Sequence, residues 1–275
     1  MIMFWARYYI LWWVIAGELV IAGLLIRTGV SYFNREELLG RELDTINLKS
    51  AFWRVRMSFF GKAPSVKNWY LKVLPATLLE LRLPILFSSI ALLIGYIAGF
   101  SLADEFRLPA HLVAYQNLGS GFIQGLESMR FFSTAGIGII WLHNLRVALL
   151  ATALGIFSFG VLGVLILMLP LAMFGFFAQA ASAISISPLT FLAAFAFPHG
   201  FLEFPAIILT GAVILRVGAT MVTPAPGQSI SEAWLRALAD WARIVVVLII
   251  PLFLCAALIE SFITPHTMLY LLGNP

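Results

Sequence analysis

A long stretch of this chain carries almost no charge. Between Val147 and Leu215 the only ionisable side chains are those of His199 and Glu203. A charged side chain at the centre of a bilayer costs at least about 2.5–3.5 kcal/mol on insertion scales, so ionisable residues inside a membrane usually mark a functional site. The two residues are four positions apart, which places them on one face of a helix. We therefore expect the segment Pro198–Ala206 to be a functional site within a membrane.

The composition is that of a protein that crosses the membrane several times. Hydrophobic residues make up 61% of the 275 residues and charged residues 11%, whereas soluble domains average about 25% charged residues. This length accommodates about six spans of ~20 residues each. The single cysteine, Cys255, excludes an intramolecular disulfide. The sequence has no phosphate-binding loop, dinucleotide fingerprint or nucleophile elbow, so we expect neither enzymatic activity nor a bound cofactor.

We predict an all-α bundle of about six transmembrane helices, with a broken or re-entrant helix near Pro198. An N-terminal region, residues 1–82, comprises one span and a basic amphipathic segment, and residues 83–275 form a membrane domain. Ten of the seventeen basic residues lie between Arg27 and Arg82, so this loop is expected in the cytoplasm and both termini outside. Its charge fits membrane orientation better than nucleic-acid binding. The predicted spans are about Tyr8–Leu25, Pro84–Leu102, Leu145–Leu169, Leu171–Ile186, Phe201–Val222 and Ile244–Phe262.

The segment from Phe131 to Ile186 is too long for one span and contains few polar residues that would mark where one span ends and the next begins. Its glycine-rich beginning, Phe131–Leu142, is too short to cross a bilayer and is expected to lie in the outer interface or to re-enter. A cytoplasmic turn is predicted near Pro170. Small residues are frequent in the spans on both sides of that turn, which predicts that these two helices pack face to face. Further along, Ser229 or Ser231 is expected to cap a short amphipathic helix.

Two segments of the basic loop are amphipathic. Asn34 and Glu37 fit a capping box that opens a helix with one apolar stripe. The segment Phe52–Phe60 alternates aromatic residues with arginines, as interfacial segments facing anionic lipid do. These segments either anchor the loop to the bilayer surface or bind a cytoplasmic partner subunit. The residues expected to contact such a partner are Asn34, Arg35, Glu37, Leu39, Arg41 and Leu43.

The residues around His199 have three interpretations. His199 and Glu203 stabilise a broken helix, or they line a transport path where a half-helix opening at Gly200 offers free N–H groups to an anion. Alternatively they bind a metal, which needs a third ligand from Glu260, His143 or another span. Glu260 is expected at the membrane level of Glu203. The full predicted polar cluster is His199, Glu203, Glu260, Asn144, Gly200 and Pro198.

The segment Pro198–Ala206, together with Leu258–Pro265, closely resembles the stage II sporulation protein M family of prokaryotic membrane proteins. The resemblance extends from about Pro84 to Pro265 and implies a location in the prokaryotic plasma membrane. In sporulating members it implies a role in a complex that remodels peptidoglycan, while many relatives look like membrane components paired with ABC-type ATPases. The positions marked in the family correspond to Asn144, Pro198, His199, Gly200, Glu203, Pro205 and Glu260.

This chain differs from the short sporulation form by the added residues 1–82. Within them, Phe33–Glu42 is similar to cytoplasmic segments of ABC-type permeases. We therefore expect a permease-like or accessory subunit of an ABC-type transport system. Its expected partners are a separate ATPase, the lipid bilayer, and a second membrane subunit or a second copy of itself. The alternatives are a structural scaffold in an envelope-remodelling complex and an intramembrane metal-dependent enzyme.

Overall fold

The computed structural model describes residues 9–36, 48–61, 63–106, 133–222 and 229–272, and these ranges are helical almost throughout. Within these ranges, three π-helical turns, Trp69–Val73, Leu192–Ala196 and Val245–Ile249, and one 3-10 turn, Ala181–Ile184, continue neighbouring helices. The predicted all-α architecture is confirmed. The helices are α1 (Tyr9–Glu36), α2 (Leu48–Phe60), α3 (Val66–Asn68), α4 (Leu74–Glu80), α5 (Arg82–Glu105), α6 (Thr134–Phe157), α7 (Val161–Ala180), α8 (Pro188–Phe191), α9 (Phe197–Val222), α10 (Ile230–Ile244), α11 (Ile250–Phe262) and α12 (Thr264–Leu272).

Several of these helices are long and apolar enough to cross a membrane. Within the described ranges there are five such segments, and their outward side chains are largely exposed and apolar, as lipid contact requires. The protein is thus a multi-pass helical membrane protein. A further helix, α1, is 28 residues long and takes the position of the predicted first span. The five segments are Arg82–Glu105, Thr134–Phe157, Val161–Ile184, Pro188–Val222 and Ile230–Phe262.

The first helix is longer than the sequence predicted. α1 continues through Asn34 and Arg35 to Glu36, so Asn34 lies inside this helix and does not cap a new one. The other residues expected to contact a partner, Glu37, Leu39, Arg41 and Leu43, lie outside the described ranges. The amphipathic segment at Phe52–Phe60 is part of α2.

The region between residues 131 and 186 is divided differently from the prediction. The glycine-rich stretch is the first half of a complete span, α6, and the turn that follows is Ser158–Gly160 instead of a turn near Pro170. Phe159 and Gly160 have φ angles of 53° and 97°. Glycine adopts such angles at little cost, which makes Gly160 the place where the chain reverses. Pro170 lies inside α7, where membrane helices tolerate proline because neighbouring groups satisfy the freed carbonyl.

The small residues of α7 face two different neighbours. A Cβ atom on Gly175 would overlap the Tyr96 carbonyl of α5, so these two backbones are in direct contact. Gly163 instead lies against Gly155 of α6, and a Cβ there would come within 2.8 Å of Ile214 in α9. Gly155 and Gly163 both belong to the predicted span Leu145–Leu169, and Gly175 of the predicted span Leu171–Ile186 packs against α5 instead of against them, contrary to the predicted pairing.

The longest span lies at the centre of the bundle. It runs for 35 residues from Pro188 to Val222, and α9 within it packs against α5, α6, α7, α10 and α11. The interruption predicted near Pro198 takes the form of the π-helical turn Leu192–Ala196, which continues directly into α9. Proline removes one backbone donor and crowds the preceding turn, and a wider turn relieves that crowding. Gly200 thus lies within a helix and does not begin one.

The two ends of the bundle are chemically distinct. At the α2 end, which carries α2, α4 and α10, Arg216 lies 3.7 Å from Glu80. At the α12 end, Gln179 donates a hydrogen bond to Asp104 at 2.9 Å, and α12 packs against the turn Leu192–Ala196.

The predicted cap of α10 is confirmed, because Ser229 Oγ accepts a hydrogen bond from the Glu232 amide at 3.2 Å.

Candidate functional site

Three ionisable side chains meet near the α12 end of the bundle. His199 and Glu203 are on α9, Glu260 is on α11, and one ligand-type atom from each lies within 4.8 Å of the other two. His199 is only 4% exposed, and Glu203 and Glu260 are half-buried. The structure therefore brings together three members of the predicted polar cluster, and Glu260, not His143, is the third group. His143 is exposed on α6.

The spacing along α9 aligns the first two groups. His199 and Glu203 are one helical turn apart, and His199 Nε2 lies 3.4 Å from Glu203 Oε2. The neighbouring Gly200 has a packing role, because a Cβ there would come within 2.9 Å of the Phe204 ring. Phe204 in turn meets Phe174 edge-on, with ring centroids 6.2 Å apart. Because Gly200 has no side chain, the Phe204 ring fits beside it and contacts α7. His199 and Glu203 lie on another side of α9.

A residue that the sequence analysis did not single out fixes the imidazole. Thr264, the first residue of α12, places Oγ1 3.1 Å from His199 Nδ1. The same hydroxyl donates to the Ile259 carbonyl at 3.4 Å. His199 Nδ1 and the Thr264 hydroxyl are hydrogen-bonded to each other, and the tautomer of the imidazole decides which of them donates. In the tautomer with its proton on Nδ1, the Nε2 atom carries its lone pair toward Glu203.

The charges of the cluster are not balanced by basic side chains in the described part of the chain. The arginines that form ion pairs there contact acids elsewhere: Arg54 with Glu232, Arg216 with Glu80 and Arg243 with Asp240. Two carboxylates and an imidazole lone pair are acceptors. Such a set can share protons or hold a cation, and the donor types suit a transition-metal ion.

One family model matches this chain, that of SpoIIM, described as Stage II sporulation protein M, over residues 85–265. The matched range is more than half of the chain and contains His199, Glu203 and Glu260. The chain belongs to the SpoIIM family. No curated protein and no solved structure matches it. The helices α1 to α4 of this SpoIIM-family protein precede the matched range.

The remaining members of the predicted cluster have other surroundings in this SpoIIM-family protein. Asn144 lies on α6, and its side-chain Nδ2 is buried with no hydrogen-bond partner within the described ranges. One turn earlier, Trp141 donates to the Ile250 carbonyl of α11 at 3.2 Å. Pro198 is in the first turn of α9 and is half-buried. Neither residue supplies a group to the cluster of His199, Glu203 and Glu260.

A second polar site lies at the α2 end of this SpoIIM-family protein and was not predicted. Arg243 of α10 is 5% exposed and donates to the backbone carbonyls of Phe59 (3.1 Å) and Ser58 (2.5 Å) in α2. It also donates to Asp240 at 2.8 Å and to the hydroxyl of Thr77 in α4. The sequence signal was an acid and a base three residues apart on the apolar face of α10. The hydrogen bonds of Arg243 thus attach α2 to α10, which is the first part of the span Ile230–Phe262.

Proposed function

We propose that this protein is a membrane subunit of an ABC-type transport system, and that a separate cytoplasmic ATPase binds to α2. The observation that supports the proposal is the attachment of α2 through Arg243. Hydrogen bonds from Arg243 to two carbonyls of α2 and to Thr77 link this short surface helix to α10 and α4, so a force on α2 would be passed to them. An intracellular helix that couples an ATPase to a permease needs such an attachment, because a loosely held helix would not transmit force.

The outward side of α2 offers a contact surface. Phe52 is 68% exposed, and Trp53, Met57 and Phe60 are exposed as well. Arg56 lies over the Trp53 ring, 4.8 Å from its centroid, which combines charge with aromatic area. Exposed aromatic residues and arginines are the residue types enriched at the energetic centres of protein interfaces. We propose that these side chains contact the ATPase.

A continuous helix connects this surface with the site at the other end. The span Ile230–Phe262 is 33 residues long and carries Arg243 near the α2 end and Glu260 near the α12 end. Its two α-helical parts are joined by the π-helical turn Val245–Ile249. In the proposed mechanism a displacement of α2 moves α10, and α11 carries that movement to Glu260. The cluster then changes its geometry in step with the ATPase cycle.

The docking proposal is tested with the native complex. An ATPase is expected to co-purify with the full-length protein, and membranes from a deletion strain are expected to hydrolyse less ATP. Phe52→Glu should lower the affinity for the ATPase at least 10-fold, because the substitution places a charge in an apolar contact. Phe52→Leu is the matched control and should retain it. A native complex without a nucleotide-binding subunit, with unchanged ATP hydrolysis after deletion, would falsify the proposal.

The proposal also requires the α2 end to face the cytoplasm. In a Cys255→Ser background, Ser231→Cys at the α2 end should react with a membrane-impermeant thiol reagent only after the cells are opened. His266→Cys in α12 should react on intact cells, since both termini are expected outside. Both positions are exposed, so access depends on the side of the membrane. The reverse labelling pattern would place α2 outside the cytoplasm, where it could not bind a cytoplasmic ATPase.

The family description supports one alternative. A protein described as stage II sporulation protein M is linked by name to sporulation, which favours a scaffold in an envelope-remodelling complex. In that case cell-wall hydrolases, and no ATPase, would co-purify with the full-length protein. The same purification therefore distinguishes the two functions.

A further inference from the structure

We propose that His199, Glu203 and Glu260 form a binding site for a divalent transition-metal ion, with zinc as the best match to the donor atoms. The proposal is independent of the transport function, because it rests only on the cluster near the α12 end. It concerns binding and makes no statement about a reaction.

The donor set is one that zinc uses. Zinc binds imidazole nitrogen and carboxylate oxygen, and sites with three protein ligands leave a fourth position for water or another molecule. His199, Glu203 and Glu260 supply one nitrogen and two carboxylates. Harder ions such as Mg²⁺ and Ca²⁺ prefer oxygen ligands alone, so the histidine favours a transition metal.

The distances also fit. In a tetrahedral site with metal–ligand bonds of about 2.0–2.1 Å, two ligand atoms are about 3.3 Å apart. His199 Nε2 and Glu203 Oε2 are separated by 3.4 Å, which matches that edge. The ligand atom of Glu260 is within 4.8 Å of both. Binding of the ion would require the Glu260 carboxylate to close the remaining distance, and the rotatable bonds of the glutamate side chain provide a route for this.

The hydrogen bond from His199 to Thr264 is an independent indication. When His199 Nδ1 donates to Thr264, the Nε2 lone pair faces the carboxylate of Glu203 at 3.4 Å, so two acceptors face each other. Two acceptors repel unless a cation or a proton lies between them. In metal sites the second ring nitrogen of a histidine ligand almost always donates to an oxygen, and Thr264 provides that oxygen here.

Charge balance favours a doubly charged ion. Two ionised carboxylates carry two negative charges, and a neutral imidazole adds none. A divalent cation makes the whole site neutral, which removes most of the cost of placing two carboxylates in the apolar part of a membrane protein. The ion would also join α9 to α11, since its proposed ligands come from both helices.

The test uses the full-length protein, purified in detergent and stripped with a chelator. We expect it to bind about one equivalent of Zn²⁺ or Co²⁺, and the X-ray absorption fine structure of the Co²⁺ form should fit one imidazole and otherwise oxygen ligands. His199→Ala, Glu203→Gln and Glu260→Gln should each lower the affinity at least 10-fold. The matched controls, His266→Ala and Glu232→Gln, change exposed residues of the same types and should bind like the unsubstituted protein.

Two results would overturn the proposal. One is an unsubstituted protein that takes up no stoichiometric Zn²⁺, Co²⁺ or Mn²⁺ after stripping, which would mean that protons alone occupy the cluster. The other is bound Co²⁺ whose absorption fine structure contains no imidazole, which would place the metal elsewhere. Both measurements use the unsubstituted protein, so a variant that fails to fold does not affect the decision.

Discussion

Thr264 holds the imidazole of His199 across two helices. Its Oγ1 atom lies 3.1 Å from His199 Nδ1, and the pair joins the start of α12 to the first turn of α9. Both side chains are buried. This contact links the histidine to α12, which also packs against the π-helical turn Leu192–Ala196.

Replacing Thr264 with valine keeps the shape of the side chain and removes the hydroxyl. We expect Thr264→Val to destabilise the protein by about 1–3 kcal/mol, because the buried Nδ1 of His199 loses its hydrogen-bond partner. Unfolding in mixed detergent measures the change. Thr267→Val on the same helix removes a partly exposed hydroxyl that bonds only to backbone carbonyls, and it should have little effect. Equal losses in the two variants would contradict this role for Thr264.

The attachment of α2 depends on Arg243. Arg243→Met should cost about 3–5 kcal/mol, since it leaves Asp240 buried without its partner. The double variant Asp240→Asn with Arg243→Met should recover part of that loss. Arg236→Met, on the exposed side of α10, is the control and should stay within about 0.5 kcal/mol. Protease resistance of α2 should fall only in the Arg243 variants. If α2 stays protected after Arg243→Met, another contact holds it.

The contact between α5 and α7 leaves no room for a side chain at Gly175. Gly175→Ala should destabilise the protein by about 1–3 kcal/mol, because the added methyl group meets the Tyr96 backbone carbonyl, which cannot move away as a side chain could. Gly138→Ala is the control: nothing lies within 4 Å of the added carbon, so the change should be neutral or slightly stabilising. Thermal unfolding of the purified proteins compares them. A stable Gly175→Ala protein would show that α5 and α7 pack less closely.

Several features could be predicted from local sequence. Long apolar segments indicated the spans around α5, α9 and α11, because a bilayer requires such lengths of hydrophobic helix. The four-residue spacing of His199 and Glu203 placed them on one face, since helical periodicity is a local property. Ser229 or Ser231 was predicted as a cap for the same reason, and Ser229 is the one that caps α10.

Other features could not be predicted, because their signals are spread over distant parts of the chain. The turn at Ser158–Gly160 was missed, since Pro170 is the stronger helix-breaking signal in water but is accommodated by neighbours inside a bundle. Thr264 was missed because its partner is 65 residues away. Arg243 was missed because its acceptors in α2 are more than 180 residues earlier in the sequence.

The sequence by itself determined that this chain is a helical membrane protein and that His199 and Glu203 share a helix face. Hydrophobicity and the helical repeat act over a few residues, so no knowledge of neighbours is needed. Only the tertiary structure decided that Glu260 completes the cluster, that Thr264 orients the histidine and that Arg243 holds α2. These contacts depend on which helices are adjacent, and adjacency is set by close packing at residues such as Gly163 and Gly175.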